Sequence, residues 1–233
     1  MPEEVSWLKS TEEGYTLEKE LIKSFYEHGD QQQAIRMSTY MKDKFAFLGI
    51  HKPKRAELQK QFLQQSRTFK KINWDFVYSL WELPEREFQY LALDYLLAMK
   101  NKLAKSDIED VELLIIRKSW WDSVDCLATN ITGTLCTKYP ELIQSHILSW
   151  AESDNVWLAR VGVLFQLKYG EATDTELLQK IINKNCDYKE FFIAKAIGWA
   201  LREYSKTDAE WVKSFLEANT LQPLSVREAS KYL

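Results

Sequence analysis

Hydrophobic residues recur along most of this chain at the 3.6-residue spacing of an amphipathic helix. The pattern is clear in Phe76–Trp81, Leu158–Leu167 and Phe191–Tyr204, where apolar side chains fall three and four positions apart. We find no segment whose alternation convincingly indicates a half-buried strand. The pattern therefore predicts an all-α protein.

Signals for the first turn of a helix separate these segments. In a capping box, a short polar side chain and a carboxylate or amide three residues later satisfy each other's free backbone N–H groups. Seven glycines and five prolines are few, which favours long helices joined by short loops. The predicted boxes are Asp30–Gln33, Ser10–Glu13, Ser106–Glu109, Thr173–Glu176, Thr207–Glu210 and Ser225–Glu228.

The helices also repeat. Leu158–Arg160 matches Ile193–Lys195 in character, 35 residues later (195 − 160), and the same step back from Arg160 reaches Asp125 and then Tyr90. Such a period, with two helices in each unit, predicts a solenoid of helical hairpins in which one helix of each hairpin lines the concave side. We expect one domain over residues 1–233, whose first 30 or so residues form a less typical extension and a first helix.

If equivalent positions of the repeat point the same way, five side chains share one surface. Trp121 and Asp125 lie four residues apart, as do Lys195 and Trp199, so each pair occupies one helix face. Aromatic residues at helical spacing usually belong to a core, but a core stripe would not usually carry a charge one turn away. The candidate surface therefore comprises Trp121, Asp125, Arg160, Lys195 and Trp199.

The segment Lys118–Asp125 places two adjacent tryptophans within one helical turn of two carboxylates. Tryptophan is costly to expose and aspartate is costly to bury alone, so a helix that offers both on one face is either packed in an unusual way or built to hold a cation. We assign Trp120 and Trp157 to packing. Asp122 is expected to have a structural role near the start of its helix.

Composition and charge limit the alternatives. A formal net charge of −3 is not that of a typical nucleic-acid-binding domain, although a local basic face can coexist with an acidic back. We expect a cytoplasmic protein with reduced cysteines, because the acidic start is unlike a secretory signal and no apolar run reaches membrane-spanning length. The histidines and cysteines lack the spacing of a zinc site, so no metal or other cofactor is expected. These residues are His28, His51, His146, Cys126, Cys136 and Cys186.

Six landmark segments of the chain are 45–50 (FAFLGI), 81–88 (WELPEREF), 118–125 (KSWWDSVD), 153–157 (SDNVW), 165–169 (FQLKY) and 196–204 (AIGWALREY). Together they resemble the AlkD-type DNA glycosylases, a bacterial DNA alkylation repair family built from HEAT-like repeats. The resemblance extends from about Ser38 to Leu233, and a generic helical-repeat protein would not be expected to carry all six segments. It implies a right-handed solenoid of HEAT-like hairpins with a concave DNA-binding groove.

The resemblance also implies an activity and the residues responsible for it. The family excises purines alkylated at N3 or N7, such as 3-methyladenine and 7-methylguanine, from duplex DNA in base excision repair. By position, Asp125 would be the catalytic aspartate, and Trp121 and Trp199 would embrace the deoxyribose of the lesion. Arg160 and Arg202 would contact DNA, and the damaged nucleotide would stay largely stacked.

The predicted DNA-binding set has four further members. Lys195 and Lys118 would neutralise phosphates. His51 stands where related sequences often have glutamine after the Leu-Gly-Ile run, so any contact with the strand opposite the lesion would differ here. Tyr40 is the fourth of these further members of the DNA-binding set. We expect a monomer whose partner is double-stranded DNA that contains alkylated purines.

These residue types suit the departure of a cationic base. Alkylation at N3 or N7 makes the purine a good leaving group, and positive charge grows on the sugar as the glycosidic bond breaks. The enzyme then needs negative potential beside C1′ rather than a strong general acid. Asp125 supplies that charge and can activate water, and the faces of Trp121 and Trp199 add cation–π attraction.

Two other functions remain open on the sequence alone. Helical-repeat proteins often serve as scaffolds for protein partners, and fold alone does not exclude this use. A DNA-binding relative that has lost catalysis, or that prefers branched DNA, is the second alternative, and the net charge of −3 mildly favours it.

Overall fold

The computed structural model describes residues 12–233, with side chains from Leu17 onward, so the predicted capping box that starts at Ser10 lies outside the described residues. Within this range all regular structure is helical, apart from an isolated parallel bridge between Ala46 and Glu85. The all-α prediction is therefore confirmed. No helix in this part of the chain is both long enough and apolar enough to cross a membrane.

The chain divides into two compact units, and the first ends at Leu103. Its hydrophobic core includes Phe25, Phe76, Phe88 and Leu91, all of them buried. The helices of this unit are α1 (Glu12–Glu27), α2 (Gln31–Tyr40), α3 (Lys52–Ser66), α4 (Trp74–Glu82) and α5 (Arg86–Met99), followed by a 3₁₀ turn at Lys100–Lys102.

A buried glutamate of the first unit holds the loop that precedes α3. The Glu87 carboxylate accepts hydrogen bonds of 2.8–3.1 Å from the backbone N–H groups of Leu48–Ile50. Gly49 has a φ of +88°, and a Cβ there would lie 2.0 Å from the carbonyl oxygen of Asp30, so glycine is required. Two of the landmark segments thus meet to fix the start of α3, where His51 is the N-cap residue.

The second unit spans Ala104–Leu233. A helical run from Trp121 to Lys138 changes to π geometry in its middle, at Leu127–Thr132, and a second π segment covers Ile143–Ile147. The α-helices of this unit are α6 (Asp107–Ile116), α7 (Trp121–Cys126), α8 (Gly133–Lys138), α9 (Leu148–Ala151), α10 (Val156–Leu164), α11 (Thr175–Asn185), α12 (Phe191–Tyr204), α13 (Ala209–Ala218) and α14 (Pro223–Ala229), with 3₁₀ turns at Gly170–Ala172 and Ser230–Tyr232.

The helix starts confirm the predicted interval. Helices α5, α7, α10 and α12 begin at Arg86, Trp121, Val156 and Phe191, so each starts 35 residues after the previous one (121 − 86, 156 − 121, 191 − 156). The interval persists because each step contains one long helix, one partner helix and two short connections. In the second unit, positions 125, 160 and 195 therefore occupy equivalent turns of successive helices.

Two of the predicted capping boxes are displaced by one residue. The N-cap of α11 is Asp174 rather than Thr173, and the N-cap of α13 is Asp208 rather than Thr207. Each aspartate accepts a hydrogen bond of 2.8–2.9 Å from the backbone N–H three residues later. A carboxylate caps as well as a hydroxyl and adds a favourable charge at the helix N-terminus, so it replaces the neighbouring threonine.

The other described boxes have mixed outcomes. Asp30 caps α2 as predicted, because its carboxylate accepts from two backbone N–H groups. Ser106 is the N-cap residue of α6 but makes no capping hydrogen bond. The box at Ser225 is wrong: α14 begins at Pro223, and the Ser225 hydroxyl lies inside it and donates to the carbonyl of Ala194.

Candidate active site

The helix that carries Trp121 and Asp125 starts from a strained turn. Lys118 has a φ of +47°, and Trp120 is fully extended at the N-cap position of α7. This turn places Trp121 and Asp125 one helical turn apart on the same face, and both are partly exposed. The π segment begins two residues after Asp125, and such segments occur often at functional sites.

Asp125 is bound by Arg160 of α10 in a two-pronged ion pair. Nε of Arg160 donates to Oδ1 of Asp125 at 2.7 Å, and Nη2 donates to Oδ2 at 2.9 Å. The side chains are 16% and 6% exposed, so the pair lies at the edge of the core with the carboxylate nearer to solvent. This geometry fixes the orientation of the carboxylate, because a guanidinium matches both oxygens at once.

Two effects on the acidity of Asp125 oppose each other. Burial raises the pKa of the Asp125 carboxyl above that of a free aspartate, and the hydrogen bonds and charge of Arg160 lower it. Asp122, on the same helix, adds a small upward contribution through its negative charge. Because burial is the largest of these effects, Asp125 binds a proton more readily than an exposed aspartate does.

Arg160 also connects α7 to α12. Its third nitrogen, Nη1, donates to the backbone carbonyl of Phe192. Close by, the rings of Trp120, Trp157 and Phe192 form an aromatic cluster with centroid separations of 4.8–5.7 Å. The packing role predicted for Trp120 and Trp157 is thus confirmed, and three successive long helices are joined behind Asp125.

The structure places Arg160 in the interior, and its predicted contact with DNA stays a prediction. The residue is buried, and each of its three nitrogens already donates to a protein acceptor. The sequence indicated a cation at this position but not its partner. In the structure, Arg160 supports Asp125 instead of projecting outward.

Helix α12 carries the other predicted tryptophan and two predicted cations. Trp199 is partly exposed and lies one turn after Lys195. Lys195 and Arg202 both bind the buried carboxylate of Glu228 on α14. The sequence analysis missed Glu228, because its only identified pattern was a capping box.

An exposed phenylalanine was also missed. Phe191 is 56% exposed and occupies the position that corresponds to Trp121 two repeats earlier. Its ring centroid lies 6.0 Å from Nζ of Lys195. No sequence signal indicated its exposure, because an isolated aromatic residue at a helix start does not show which side of the helix faces solvent.

Seven of the nine predicted site residues lie in the second unit. Lys118 is there, in the turn before α7. Tyr40 and His51 belong to the first unit: Tyr40 ends α2 and is exposed, and Nε2 of His51 lies 3.0 Å from Oε1 of Gln33. The candidate site therefore comprises residues of the second unit alone.

Within residues 12–233, no group of three or more histidine, cysteine, aspartate or glutamate side chains could hold a metal ion. A cavity of about 160 Å³ in the second unit has Gln166, Thr173 and Tyr204 in its lining and contains none of the predicted site residues. The Asp125–Arg160 pair is therefore at a surface rather than in this cavity.

Known proteins resemble the chain in sequence and in structure. The sequence profile of a family described as DNA alkylation repair enzyme matches residues 21–233. A solved structure, a predicted DNA alkylation repair enzyme from Enterococcus faecalis, has 35% identity and a TM-score of 0.82, over 88% of this chain and 96% of that chain. No curated protein matches the chain. The matched range includes every residue of the candidate site.

Proposed function

The chain belongs to the DNA alkylation repair enzyme family, and from this premise we propose that it is a monofunctional DNA glycosylase. Its all-α architecture agrees with the α-solenoid fold of the family. The proposed substrate is duplex DNA that contains a cationic purine alkylated at N3 or N7, such as 3-methyladenine or 7-methylguanine. The proposed reaction is hydrolysis of the glycosidic bond in base excision repair.

The observation that carries this proposal is the oriented, largely buried carboxylate of Asp125 beside Trp121. As the cationic base departs, positive charge grows on the deoxyribose. A carboxylate at about 4 Å from that charge contributes about 4 kcal/mol if the effective dielectric constant is near 20. This stabilisation belongs mainly to the transition state, because the sugar is neutral before the bond breaks.

Arg160 affects the negative charge of the Asp125 carboxylate in two ways. It orients the carboxylate through two hydrogen bonds and opposes the rise in pKa that burial causes. Its own positive charge also weakens the potential on the side that it occupies. The sugar must therefore approach Asp125 from the side away from Arg160, where the carboxylate is the nearer charge.

The tryptophans and cations of the site complete the proposed roles. The ring faces of Trp121 and Trp199 would stabilise the sugar cation by about 0.5–2 kcal/mol each. Lys195, Arg202 and Lys118 would neutralise phosphates of the DNA backbone. Since these side chains lie at a surface, we propose that the base leaves with little or no flipping into a pocket.

The test is release of 7-methylguanine from methylated duplex DNA by an Asp125→Asn variant. A loss of about 4 kcal/mol corresponds to about a thousandfold slower single-turnover excision, while duplex binding persists. The matched control is Asp122→Asn, which removes the same charge from the same helix and should excise at close to the wild-type rate at neutral pH.

Two results would contradict the proposal. A loss of less than tenfold in Asp125→Asn would show that the carboxylate is not the main source of stabilisation. A wild-type protein that binds methylated duplex but releases no base would favour the non-catalytic DNA-binding alternative. Binding without any dependence on salt would instead favour a protein scaffold.

A further inference from the structure

Helix α14 packs against α12 at a glycine. A Cβ on Gly198 would lie 2.5 Å from the Cβ of Glu228 and 2.8 Å from the carbonyl oxygen of Ser225, so the helices approach this closely only because α12 has no side chain there. The Ser225 hydroxyl adds a hydrogen bond of 2.9 Å to the carbonyl of Ala194. These contacts fix where the side chain of Glu228 enters the face of α12.

Glu228 enters between two cations of that face. Lys195 and Arg202 lie seven residues apart, two turns along α12, with Gly198 between them. Nζ of Lys195 donates to Oε1 of Glu228 at 2.7 Å, and Nη1 of Arg202 donates to Oε2 at 2.8 Å. Lys231 reaches the same Oε2 at 2.6 Å. One carboxylate therefore anchors three cations.

The cluster has more positive charge than Glu228 can neutralise. Three cations and one carboxylate give a formal charge of +2 (3 − 1). Glu228 is only 7% exposed, whereas the three cations all remain accessible to solvent. A structural ion pair requires one cation, so the excess indicates a surface that attracts an anion. Trp199 and the exposed Phe191 lie on the same helix.

We propose that Glu228 is a positioning residue for DNA phosphate: it holds the ammonium group of Lys195 and the guanidinium group of Arg202 on α12, beside Trp199, where they bind the backbone next to the lesion. This inference rests on the proposed function, because Trp199 marks the lesion only if the chain is a glycosylase. The bound group is a phosphodiester of duplex DNA.

A simpler role for Glu228 predicts the opposite result. If Glu228 only neutralises nearby cations, its removal adds positive charge and tightens the binding of DNA. If it positions them, its removal frees two long side chains, which must then be ordered again when DNA binds. Each phosphate contact that is lost lowers the salt slope by about 0.9 and weakens binding roughly tenfold at 0.1 M salt.

The experiment compares Glu228→Gln with wild type for binding to an undamaged duplex over a series of salt concentrations. We expect a Kd about tenfold higher at 0.1 M salt and a salt slope smaller by about 1. The matched control is Glu210→Gln, which makes the same change in net charge at an exposed glutamate paired with Lys213 on α13. The control should change the Kd less than twofold. Unchanged or tighter binding by Glu228→Gln would overturn the inference.

A charge-neutral variant separates position from charge. Gly198→Ala leaves every charge in place but forces α14 and Glu228 away from α12, so it should also raise the Kd and lower the salt slope. If only Gly198→Ala weakens binding, the effect belongs to helix packing and the inference fails. Glu228→Asp, whose shorter side chain cannot span both cations, replaces Glu228→Gln if that variant does not fold.

Excision assays distinguish this inference from the proposed function. At saturating enzyme, Glu228→Gln should excise 7-methylguanine within about threefold of the wild-type rate, because its effect lies in binding. A tenfold or larger loss of that rate would overturn a role confined to positioning. If the wild type releases no base while Glu228→Gln still weakens duplex binding, the proposed function fails and the phosphate site stands.

Discussion

Two carboxylates of the second unit are similarly hidden from solvent but differ in acidity. The Asp125 side chain is 16% exposed and has one guanidinium partner, and burial raises its pKa. The Glu228 side chain is 7% exposed, and hydrogen bonds from Lys195 and Lys231 lower its pKa to about 2. At Asp125 burial is the largest effect on the pKa, whereas at Glu228 the hydrogen bonds from the two lysines exceed the effect of burial.

The difference separates two tasks. At Glu228 the negative charge is outnumbered, so the surroundings act as a net cation suited to a phosphate. At Asp125 one cation is matched by one carboxylate, and the carboxylate is nearer to solvent. A developing cation that approaches from that side meets negative potential. In our two proposals, the same pairing of acid and base thus serves binding in one place and chemistry in the other.

Among the changes that test this comparison, replacement of Arg160, the single cation bound to Asp125, should have the largest effect. Arg160→Met leaves a buried, unpaired carboxylate, which costs about 3–5 kcal/mol of unfolding free energy and raises the pKa of Asp125 further. Since excision requires ionised Asp125, the acid limb of the pH–rate profile should move to higher pH. Single-turnover excision from pH 5 to pH 9 and denaturant unfolding measure both effects.

Arg160→Lys is the control for that prediction. It keeps the charge but offers a single donor group, so its pH–rate profile should move less while its rate still falls, because the orientation of the carboxylate is lost. If both variants show a wild-type pH–rate profile, Arg160 does not control the acidity of Asp125.

A third buried carboxylate, Glu18, extends the comparison into the first unit. Burial raises the pKa of Glu18 to about 7, against which the hydrogen bond from Asn73 acts only weakly. The folded state keeps a proton that the unfolded chain releases above about pH 4.5. The contribution of Glu18 to the free energy of unfolding is therefore fully present below pH 4.5. It is lost as the pH rises through about 7, by at most about 3 kcal/mol.

The variant Glu18→Gln tests whether the protein loses stability in this way as the pH rises. Glutamine resembles the protonated form and keeps an oxygen for Asn73, so the difference in unfolding free energy between variant and wild type should grow from pH 5 to pH 8. Urea denaturation at several pH values measures it. A difference that does not change with pH would mean that Glu18 ionises normally in the folded protein.

A smaller effect is expected from Trp121→Ala. Loss of one cation–π contact of about 0.5–2 kcal/mol should slow excision by roughly 2- to 30-fold. The salt slope of duplex binding should remain that of the wild type, which is the reverse of the result expected for Glu228→Gln. A reduced salt slope in Trp121→Ala would remove the distinction between the two regions.

The smallest effect should come from Asp122→Asn. The charge of Asp122 raises the pKa of Asp125, so its removal should move the acid limb of the pH–rate profile to lower pH. The rate at neutral pH should not change. A shift to higher pH would contradict the assigned electrostatics.

The sequence predicted what depends on periodicity. The helices, their 35-residue interval and the shared face of Trp121 and Asp125 follow from spacing alone, because the geometry of a helix is regular. The helix caps were less predictable, because neighbouring polar side chains compete for the same N–H groups, as Thr173 and Asp174 do. The folded structure is needed to show which of the two side chains is the N-cap residue.

The partners of the charges were not predictable in the same way. The interval placed Arg160 and Asp125 on equivalent turns, but the direction of a long side chain depends on packing that no spacing reveals. Glu228 fitted a capping pattern with Ser225, and only the actual start of α14 at Pro223 shows that both residues lie inside the helix. Two of its three cations, Lys195 and Arg202, come from α12, which is distant in sequence, and the third, Lys231, lies three residues after it.

Arg160 has a consequence for how the protein could be divided. Its side chain reaches one repeat back to Asp125 and one repeat forward to Phe192. No single hairpin contains the carboxylate of Asp125 together with its complete support, so a fragment that ends between residues 125 and 192 would separate them. The proposed activity would thus require a block of three consecutive hairpins, although each hairpin on its own is a simple pair of helices.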